Sequence, residues 1–493
     1  MSIRSAHWGW IPLSLVAANA VAADPPAPAP PPVPAPEVAP APPLEPQPTP
    51  PVAATPPAAS PATSAASPTP SEAERQKLEA EFQQALSGSD KPASEPAPSS
   101  PAPAGAVAPS ALRLIDIAFD ALGAAGTSTA NENDLRKLEA GGHDPKNRGF
   151  TVQNVELTLS GVVDPYLRGD SNIVLQIDET GETVIELEEA YLTTLDLPFN
   201  LQLKAGQFFT SFGRLNPSHP HTWDFVDQPV INSRLFGPDG LRSQGAQLAW
   251  LTPLPFFAEL TASVQNAHGE TTTSFRNVPG ETVAGRVLIE RPVESAKDLL
   301  YLLRLRTSFD PTEELTLVPG LSALFGPNAS GTQTQTQIYG ADLYAKWKPL
   351  INDQGWPFLA WQTEAMLRRY QAAEVVADSG AAVEPAALLD DYGLYSQLLW
   401  GFARPWVAGV RYDYARGEAD EFTLPDGSYS SARDPLRDQR HRFAAVVSYY
   451  PSEFSKLRLQ YNYDHAQFLS QEDAHSVYLQ FEILFGAHGA HKF

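Results

Sequence analysis

Apolar and polar residues alternate along the chain from residue 110 onward. In SVYLQFEILF, residues 476–485, every second residue is Val, Leu, Phe or Ile, and KLRLQYNYD, residues 456–464, repeats the pattern. Because successive side chains of a β-strand point to opposite faces, a period of two indicates strands with one apolar and one polar face. A soluble sandwich also alternates, but its outer face need not be Leu, Trp, Tyr and Phe throughout. We therefore expect the apolar face to contact lipid.

This alternation predicts about sixteen strands. They lie near residues 110–123, 148–162, 170–178, 184–195, 199–208, 245–252, 256–266, 299–309, 314–325, 335–348, 356–371, 389–402, 405–415, 439–450, 454–465 and 475–485. An even number of strands is typical of bacterial outer-membrane barrels. We predict an all-β fold, a transmembrane antiparallel β-barrel of about 16 strands that occupies residues 110–493.

The connections between the predicted strands alternate in length. Short turns such as 196–199 and 450–454 alternate with longer polar segments such as 124–147 and 267–298. Outer-membrane barrels have short periplasmic turns and long outer loops, so both chain ends are expected in the periplasm. Aromatic residues beside the short turns predict a girdle at the lipid–water boundary; they are Trp250, Phe256, Phe257, Trp347, Trp356, Phe402, Trp406, Tyr449 and Phe454.

The chain begins with a pattern typical of exported proteins. A basic residue, Arg4, precedes an apolar run at 8–16 and small residues up to position 23. This order predicts a secretory signal peptide at 1–23. The apolar run is too short to span a bilayer as a helix, which needs about 20 residues.

Residues 24–109 differ in composition from the rest of the chain. Of the 48 prolines, 26 lie in this segment, and a segment with so little apolar content cannot form a core. We predict a Pro/Ala-rich periplasmic spacer with one short helix at 71–87, where Ser71 and Glu74 fit a capping box. The helix is either a transient feature of the spacer or a contact to peptidoglycan, to another part of the envelope or to a second copy of the chain.

Net charge and cysteine content exclude some classes of protein. The formal net charge is −23, which is the wrong sign for gripping phosphates along nucleic acid. The chain has no cysteine, so an exported protein of this composition is not held together by disulfides.

The polar face of the predicted strands carries many charges. Charged side chains at membrane depth are tolerated only toward water or a partner, and about sixteen strands enclose an aqueous channel. The strand residues that we expect in the pore are Glu186, Glu188, Arg304, Arg306, Arg368, Lys456 and Arg458. Basic residues gather in the second half of the chain and glutamates in the first, which predicts a transverse field across the pore. The alternative is that the charges pair and plug the lumen.

The longest connection outside the apolar strands covers residues 204–245. It is rich in aromatic residues, Gly and Pro, so it needs a surface to pack on. We predict that it folds into the lumen as a constriction and brings Arg214, Arg234 and Arg242 to the pore.

A family resemblance involves the same region. GQFFTSFGRLN and HPHTWDFVDQP, between VIELEEAYL and GLRSQGAQLAWL, resemble the phosphate-selective porin family and its porin-like relatives of the bacterial outer membrane. The resemblance covers most of residues 148–266 and extends beyond them only as strand rhythm. It implies a porin, and porins of this size imply homotrimers by analogy.

Histidine pairs offer a second possibility. His219 and His221 with Asp224, or His488 with His491 near the C-terminus, are candidate ligands for a borderline metal ion such as zinc. The terminal Phe493 suits recognition by the barrel-assembly machinery. The ending GAHGAHKF also resembles porin-like proteins linked to zinc supply.

The function predicted from the sequence is passive diffusion of small hydrophilic solutes or ions through a loop-constricted, water-filled pore. The alternative is outer-membrane uptake or binding of a metal ion, using the histidine loop and the C-terminal tail. We predict no cofactor and no enzymatic activity, since the chain has no G-x-S-x-G motif beside the Asp464–His465 pair.

Overall fold

The computed structural model describes residues 115–177, 181–376, 382–418 and 434–486. The chain divides into two units, Met1–Ala104 and Gly105–Phe493, of which the first lies outside the described residues. The predicted features that also lie outside them are the signal peptide at 1–23, the spacer at 24–109 with its helix at 71–87, and His488, His491 and Phe493. These stay predictions.

Within the described residues, sixteen antiparallel strands form one closed barrel. They are β1 (Asp116–Ser128), β2 (Gly149–Asp164), β3 (Leu167–Ile177), β4 (Thr183–Thr194), β5 (Leu201–Phe209), β6 (Arg242–Leu251), β7 (Phe257–Gln265), β8 (Leu300–Thr312), β9 (Leu315–Pro327), β10 (Gln335–Trp347), β11 (Phe358–Ala372), β12 (Ala387–Ala403), β13 (Trp406–Glu418), β14 (Arg440–Ser452), β15 (Ser455–Ala466) and β16 (Asp473–Gly486). Each strand pairs with the next one, and β1 also pairs with β16, which closes the sheet. The predicted fold class is confirmed, since each predicted segment overlaps one of these strands.

The two faces of the wall have opposite character. On β16, Leu479 and Phe485 are 51% and 58% exposed on the outside. Their neighbours Gln480 and Glu482 point inward and are 2% and 0% exposed. Apolar side chains outside and polar ones inside are the arrangement of a transmembrane barrel.

Aromatic side chains form a ring on the outside, beside the short turns. Trp250, Trp347 and Trp406 are exposed there, and the Trp406 ring lies 4.6 Å from that of Tyr449. The predicted girdle is wrong for Trp356, which is only 4% exposed and packs inside the barrel. Trp356 comes two residues before an inward-facing strand residue, Phe358, and therefore has the same phase.

The connections on the side opposite the short turns are of mixed length. Residues 210–241 and 266–299 form long loops, whereas residues 328–334 and 467–472 form short connections. The strict alternation of short and long connections is therefore wrong at these two connections, while the strand order is unaffected.

Short elements occur in the connections between the strands. The helices are α1 (Glu132–Leu138) and α2 (Val230–Phe236), with single 3-10 turns at Pro198–Asn200, Pro220–Thr222, Glu270–Thr272, Ala296–Asp298 and Pro435–Arg437. Two small hairpins pair Thr282–Val283 with Arg286–Val287 and Val375–Val376 with Ala382–Glu384. In the part of the chain that the structure describes, no helix has the length and apolar content needed to cross a bilayer.

The loop between β5 and β6, residues 210–241 and called L3 below, lies inside the barrel. Its Ile231 and Leu235 are fully buried and belong to one apolar cluster with the wall residues Leu302, Ile338 and Tyr395. The apolar content of the loop thus finds its packing surface on the inner wall. L3 narrows the lumen.

Candidate functional site

One carboxylate fixes the middle of L3 to the far wall of the barrel. Asp227 accepts hydrogen bonds from Arg411 on β13 at 2.8 Å, and from Gln460 and Asn462 on β15 at 2.7 Å each. It also forms an ion pair with Arg442 on β14. Burial alone would raise the pKa of the Asp227 carboxyl, but the two guanidiniums hold it below its ordinary value. Asp227 is therefore ionised and fully paired.

A second carboxylate holds the beginning of L3. Glu364 on β11 accepts the backbone N–H groups of Arg214 and Leu215 at 3.1 and 2.8 Å. The neighbouring N–H of Gly213 donates to the Ser322 hydroxyl on β9 at 3.1 Å. Gly213 has φ +59°, and a Cβ there would collide with the Glu364 carboxylate. The FGR turn is thus shaped to the wall.

The loop after β1, residues 129–148, supports L3 from the side opposite the short turns. The N–H of Gly142 donates to the Pro238 carbonyl at 2.7 Å, and Asp144 accepts the N–H of Gln228 at 2.8 Å. Burial, together with the charge of Asp227, raises the pKa of the Asp144 carboxyl to about 6. These contacts make the two loops one packed unit inside the lumen.

A cavity of about 910 Å³ lies between L3 and the short-turn end of the barrel. Lys346 near the end of β10 and Val407 near the start of β13 line it, which locates it on that side. Its lining includes seven basic side chains, Lys204, Arg214, Arg304, Arg306, Lys346, Arg411 and Lys456, and four carboxylates, Asp224, Asp227, Glu259 and Asp342. The cavity is therefore net positive although the chain as a whole is acidic.

Five of these cations lie over aromatic rings, among them Lys204, Arg214 and Lys346. Lys204 lies 4.3 Å from the centre of the Tyr191 ring, and Arg214 lies 3.9 Å from that of Tyr344. Lys346 lies 5.1 Å from the centre of the Phe358 ring. Among the described residues none of the three cations forms an ion pair with a carboxylate, so their charge acts on the cavity.

The residues predicted for the pore fall into two groups. Arg214, Arg304, Arg306 and Lys456 line the cavity, whereas Arg234, Arg242, Glu186, Glu188, Arg368 and Arg458 lie outside its lining. Arg234 of L3 donates to the Asp438 carbonyl at 3.0 Å, and burial lowers its pKa to about 10. Arg458 donates to the Trp223 carbonyl of L3 at 2.6 Å. These two arginines support the loop.

The predicted segregation of charge between the two halves of the wall is wrong. Lys456 lies 2.6 Å from Glu482, and Arg368 lies 2.6 Å from Asp391. In each pair the two residues are direct cross-strand partners. Antiparallel neighbours therefore place opposite charges side by side, and much of the wall is locally neutral.

The remaining predicted charges form a group on the first strands. Arg242 forms an ion pair with Glu186 and lies 3.9 Å from Glu188. His219 of L3 lies here too, with Nδ1 2.9 Å from Glu188 and Nε2 3.0 Å from Glu189. Burial alone would lower the pKa of His219, but the charges of Glu156 and Glu188 raise it well above its ordinary value.

The other two predicted ligands of this loop, His221 and Asp224, have different partners. His221 Nδ1 lies 3.3 Å from Glu156, so the two histidines share an acidic neighbour. Asp224 instead accepts the Gln397 amide at 2.7 Å and lines the cavity. Among the described residues, Asp224 forms no ligand group with the two histidines.

Asp464 and His465 lie on opposite faces of β15. Asp464 is fully buried inside and binds Arg440 at 2.8 Å. His465 is on the outside and lies 2.9 Å from Asp473. The two side chains do not face a common point.

Sequence reasoning missed Asp227, Glu364 and Glu189 as site residues. The first two act on partners more than a hundred residues away in the chain, and no local pattern marks such a pairing. Strict alternation from Glu186 and Glu188 gives Glu189 the outward phase, but the β3–β4 register shifts next to it.

No family model matches the chain. Similar solved structures include an anion-selective porin from Comamonas acidovorans (8% identity, 75% of this chain and 99% of that chain, TM-score 0.46). The outer membrane channel DcaP of Acinetobacter baumannii (11%, 75% and 97%, 0.47) and OprB of Pseudomonas putida (12%, 76% and 94%, 0.45) are further examples. Since these TM-scores are below 0.5, the fold assignment rests on the strand pairing of the chain itself.

A protein of similar sequence shows the family of the chain. An uncharacterized protein of Aquifex aeolicus (strain VF5) is 32% identical over 387 residues, which covers 73% of this chain and 76% of the Aquifex protein. Identity at this level over most of both chains means a common fold and descent. The chain belongs to the same family as this Aquifex aeolicus protein.

Proposed function

We propose that the chain is an outer-membrane porin through which small hydrophilic solutes or ions diffuse passively. One observation carries the proposal: a closed barrel with an apolar outer face holds L3 inside it, above a polar cavity of about 910 Å³. A barrel of sixteen strands is wide enough for an aqueous passage, and L3 is positioned to restrict it.

The charges of the cavity support a preference for anions. Its lining has three more basic side chains than carboxylates, and the carboxylates Glu259 and Asp342 are occupied by ion pairs with Arg306 and Arg304. Lys204, Arg214 and Lys346 remain as cations on aromatic rings. A net positive, water-filled constriction attracts anions and repels cations.

The proposal includes the location and assembly of the chain. The short turns and both termini face the periplasm, the spacer at 24–109 extends there, and its helix at 71–87 contacts peptidoglycan or another envelope component. Three copies assemble as a homotrimer, and Phe493 is read by the barrel-assembly machinery. The periplasmic placement and the role of Phe493 rest on the even strand count and on the sequence pattern, and the homotrimer rests on analogy with porins of this size.

Planar-bilayer recording tests the central claim. Purified full-length protein is expected to give steady ohmic steps of small size, because two loops fill part of the lumen. In a salt gradient, the reversal potential is expected to have the sign of anion preference. Absence of any conductance from correctly folded protein contradicts the channel, and cation preference contradicts the role given to the cavity charges.

Uptake of a metal ion is the second candidate function. The observation that favours it is the group of Glu156, Glu188 and His219, which could hold a metal ion. All three residues lie outside the lining of the cavity, and this ranks transport of the ion below general diffusion. Block of the conductance by micromolar zinc would reverse the ranking.

A further inference from the structure

Three potential ligands from separate parts of the chain meet between L3 and the first strands. Glu156 comes from β2, Glu188 from β4 and His219 from L3, and one ligand atom of each lies within 4.8 Å of the others. The glutamates are 1% and 2% exposed. The group is therefore built into the contact between the loop and the wall.

The spacing of the ligand atoms suits a common ion. His219 Nδ1 lies 2.9 Å from Glu188 Oε2 and 3.5 Å from Glu156 Oε1. Ligands about 2.0–2.1 Å from one zinc ion are separated by about 2.8–3.3 Å at angles between 90° and the tetrahedral value. Small side-chain movements bring all three atoms into this range.

Two of these atoms have no hydrogen bond. Glu188 Oε2 and His219 Nδ1 are buried and lack a hydrogen-bond partner among the described residues. They are 2.9 Å apart but are not aligned as donor and acceptor. Buried polar atoms are nearly always satisfied, and a cation coordinated by both atoms would satisfy this pair.

Neighbouring side chains hold the ligands in position, as they do in known metal sites. The other ring nitrogen of His219, Nε2, lies 3.0 Å from the Glu189 carboxylate. A ligating histidine usually donates its second N–H to a carboxylate, which fixes the tautomer and leaves the first nitrogen free to bind. Glu156 is held in turn by Thr158 at 3.2 Å and by Asn172.

A break in the pairing register of β3 and β4 affects the position of Glu188 and Glu189. Asn172 on β3 pairs with Glu189, but the next residue, Ile173, pairs with Leu187. Glu188 is therefore the extra residue of a bulge, and both Glu188 and Glu189 face inward. Bulges are frequent where a side chain must be aimed at a site.

The group also has an excess of negative charge. Glu156, Glu188 and Glu189 are buried together, and the guanidinium of Arg242, 3.9 Å from Glu188, is engaged by Glu186. Buried charges are costly unless they are paired or coordinate a metal ion. The imidazolium of His219 offsets part of this charge, since the carboxylates raise its pKa, and a divalent cation that displaces the Nδ1 proton offsets it further.

We propose that Glu156, Glu188 and His219 bind one divalent transition-metal ion that ties L3 to the barrel wall. His219 is the ligand from the loop, and the two glutamates are the ligands from the wall. One imidazole and two carboxylates suit zinc and its neighbours among the first-row metals. The three ligands lie outside the lining of the cavity. Binding of the ion is therefore a property separate from the proposed channel and does not depend on it.

Zinc binding to purified full-length protein, first stripped with a chelator, is the direct test. Equilibrium dialysis is expected to show one zinc ion that is lost or weakened at least about tenfold in Glu188→Gln and in His219→Gln. Glu189→Gln, outside the ligand set, is expected to weaken binding by roughly tenfold. The double variant His488→Ala/His491→Ala, in the C-terminal tail, serves as the matched control and is expected to bind as the unmodified protein does.

Several outcomes overturn the proposal. The first is that the unmodified protein binds no zinc. The second is that the tail variant loses the zinc while His219→Gln keeps it. Heat-modifiable migration on gels checks that each variant is a folded barrel. If the loop variants misfold, X-ray absorption of zinc bound to the unmodified protein decides: one imidazole with oxygen ligands supports the site, and several imidazoles refute it. Conductance is measured separately, so loss of the channel claim leaves this result intact.

Discussion

Arg411 on β13 holds Asp227 of L3 in two ways at once. It donates to the Asp227 carboxylate at 2.8 Å and to the Asp227 backbone carbonyl at 2.9 Å. A guanidinium that binds both the side chain and the main chain of one residue fixes the position and the orientation of the loop. The constriction is therefore set by a charge pair between residues 184 positions apart in the chain.

The variant Asp227→Asn is expected to loosen L3 without opening the barrel. It removes the anion between Arg411 and Arg442, and removing one partner of a buried ion pair costs about 3–5 kcal/mol. Hydrogen exchange of L3 amides is then expected to accelerate by roughly 10²- to 10³-fold. Mass spectrometry of L3 peptides measures it, with Asp196→Asn on an exposed short turn as control. Equal exchange in both variants contradicts the anchor.

Acid is expected to reduce this difference. The pKa of Asp227 is below its ordinary value of 3.8 in the folded protein, so its stabilising effect is complete above that value and is lost as the pH falls below it. The exchange difference between the unmodified protein and Asp227→Asn should be smaller at pH 3 than at pH 5, where Asp144, with its pKa of about 6, is already mostly protonated. A difference that grows from pH 5 to pH 3 contradicts the assigned charge state.

Charge reversal at Arg214 is expected to shift ion selectivity toward cations. Arg214 lines the cavity and stacks on Tyr344, and a unit charge at contact distance in water is worth about 1 kcal/mol. The anion-to-cation permeability ratio should fall by about fivefold or more in Arg214→Glu. Reversal potentials measure it. Arg369→Glu makes the same charge change on a side chain outside the lining and should leave the ratio unaltered.

The substitution Gly213→Ala is expected to displace the beginning of L3. The added Cβ is strained at φ +59° and collides with Glu364, the acceptor for the next two backbone N–H groups. Larger or noisier conductance steps should follow. Gly280→Ala is the matched control, because Gly280 has φ +88° but nothing within 4 Å of its Cβ position. If both variants conduct alike, the contact with Glu364 does not shape the pore.

The strands could be predicted because their signal is local. A period of two in β15 and β16 is visible in the residues themselves, and one phase of it is apolar enough to identify the outer face. The inward position of L3 followed from its apolar content by the same kind of reasoning. Strand ends were less certain, as β1 shows by lying at Asp116–Ser128 instead of 110–123.

The contacts of the site could not be predicted in this way. Which carboxylate meets Arg411 depends on the register of strands and on the path of L3, both of which are set by the whole barrel. The bulge at Glu188 is a second case, since a single register shift turns Glu189 inward against its expected phase. Sequence therefore grouped His219 with His221 and Asp224, whereas in the structure His219 lies beside Glu156 and Glu188.

The outward face makes one further prediction about the membrane. Leu479 lies at the middle of β16 and is 51% exposed, so Leu479→Arg places a charge at the bilayer midplane. The cost there is about 2–4 kcal/mol, and it falls to about 0–1 kcal/mol near the interface. His465→Arg, at the end of β15 opposite the short turns, is the matched control. Urea unfolding in lipid vesicles measures both, and equal destabilisation would mean that Leu479 does not face the hydrocarbon core.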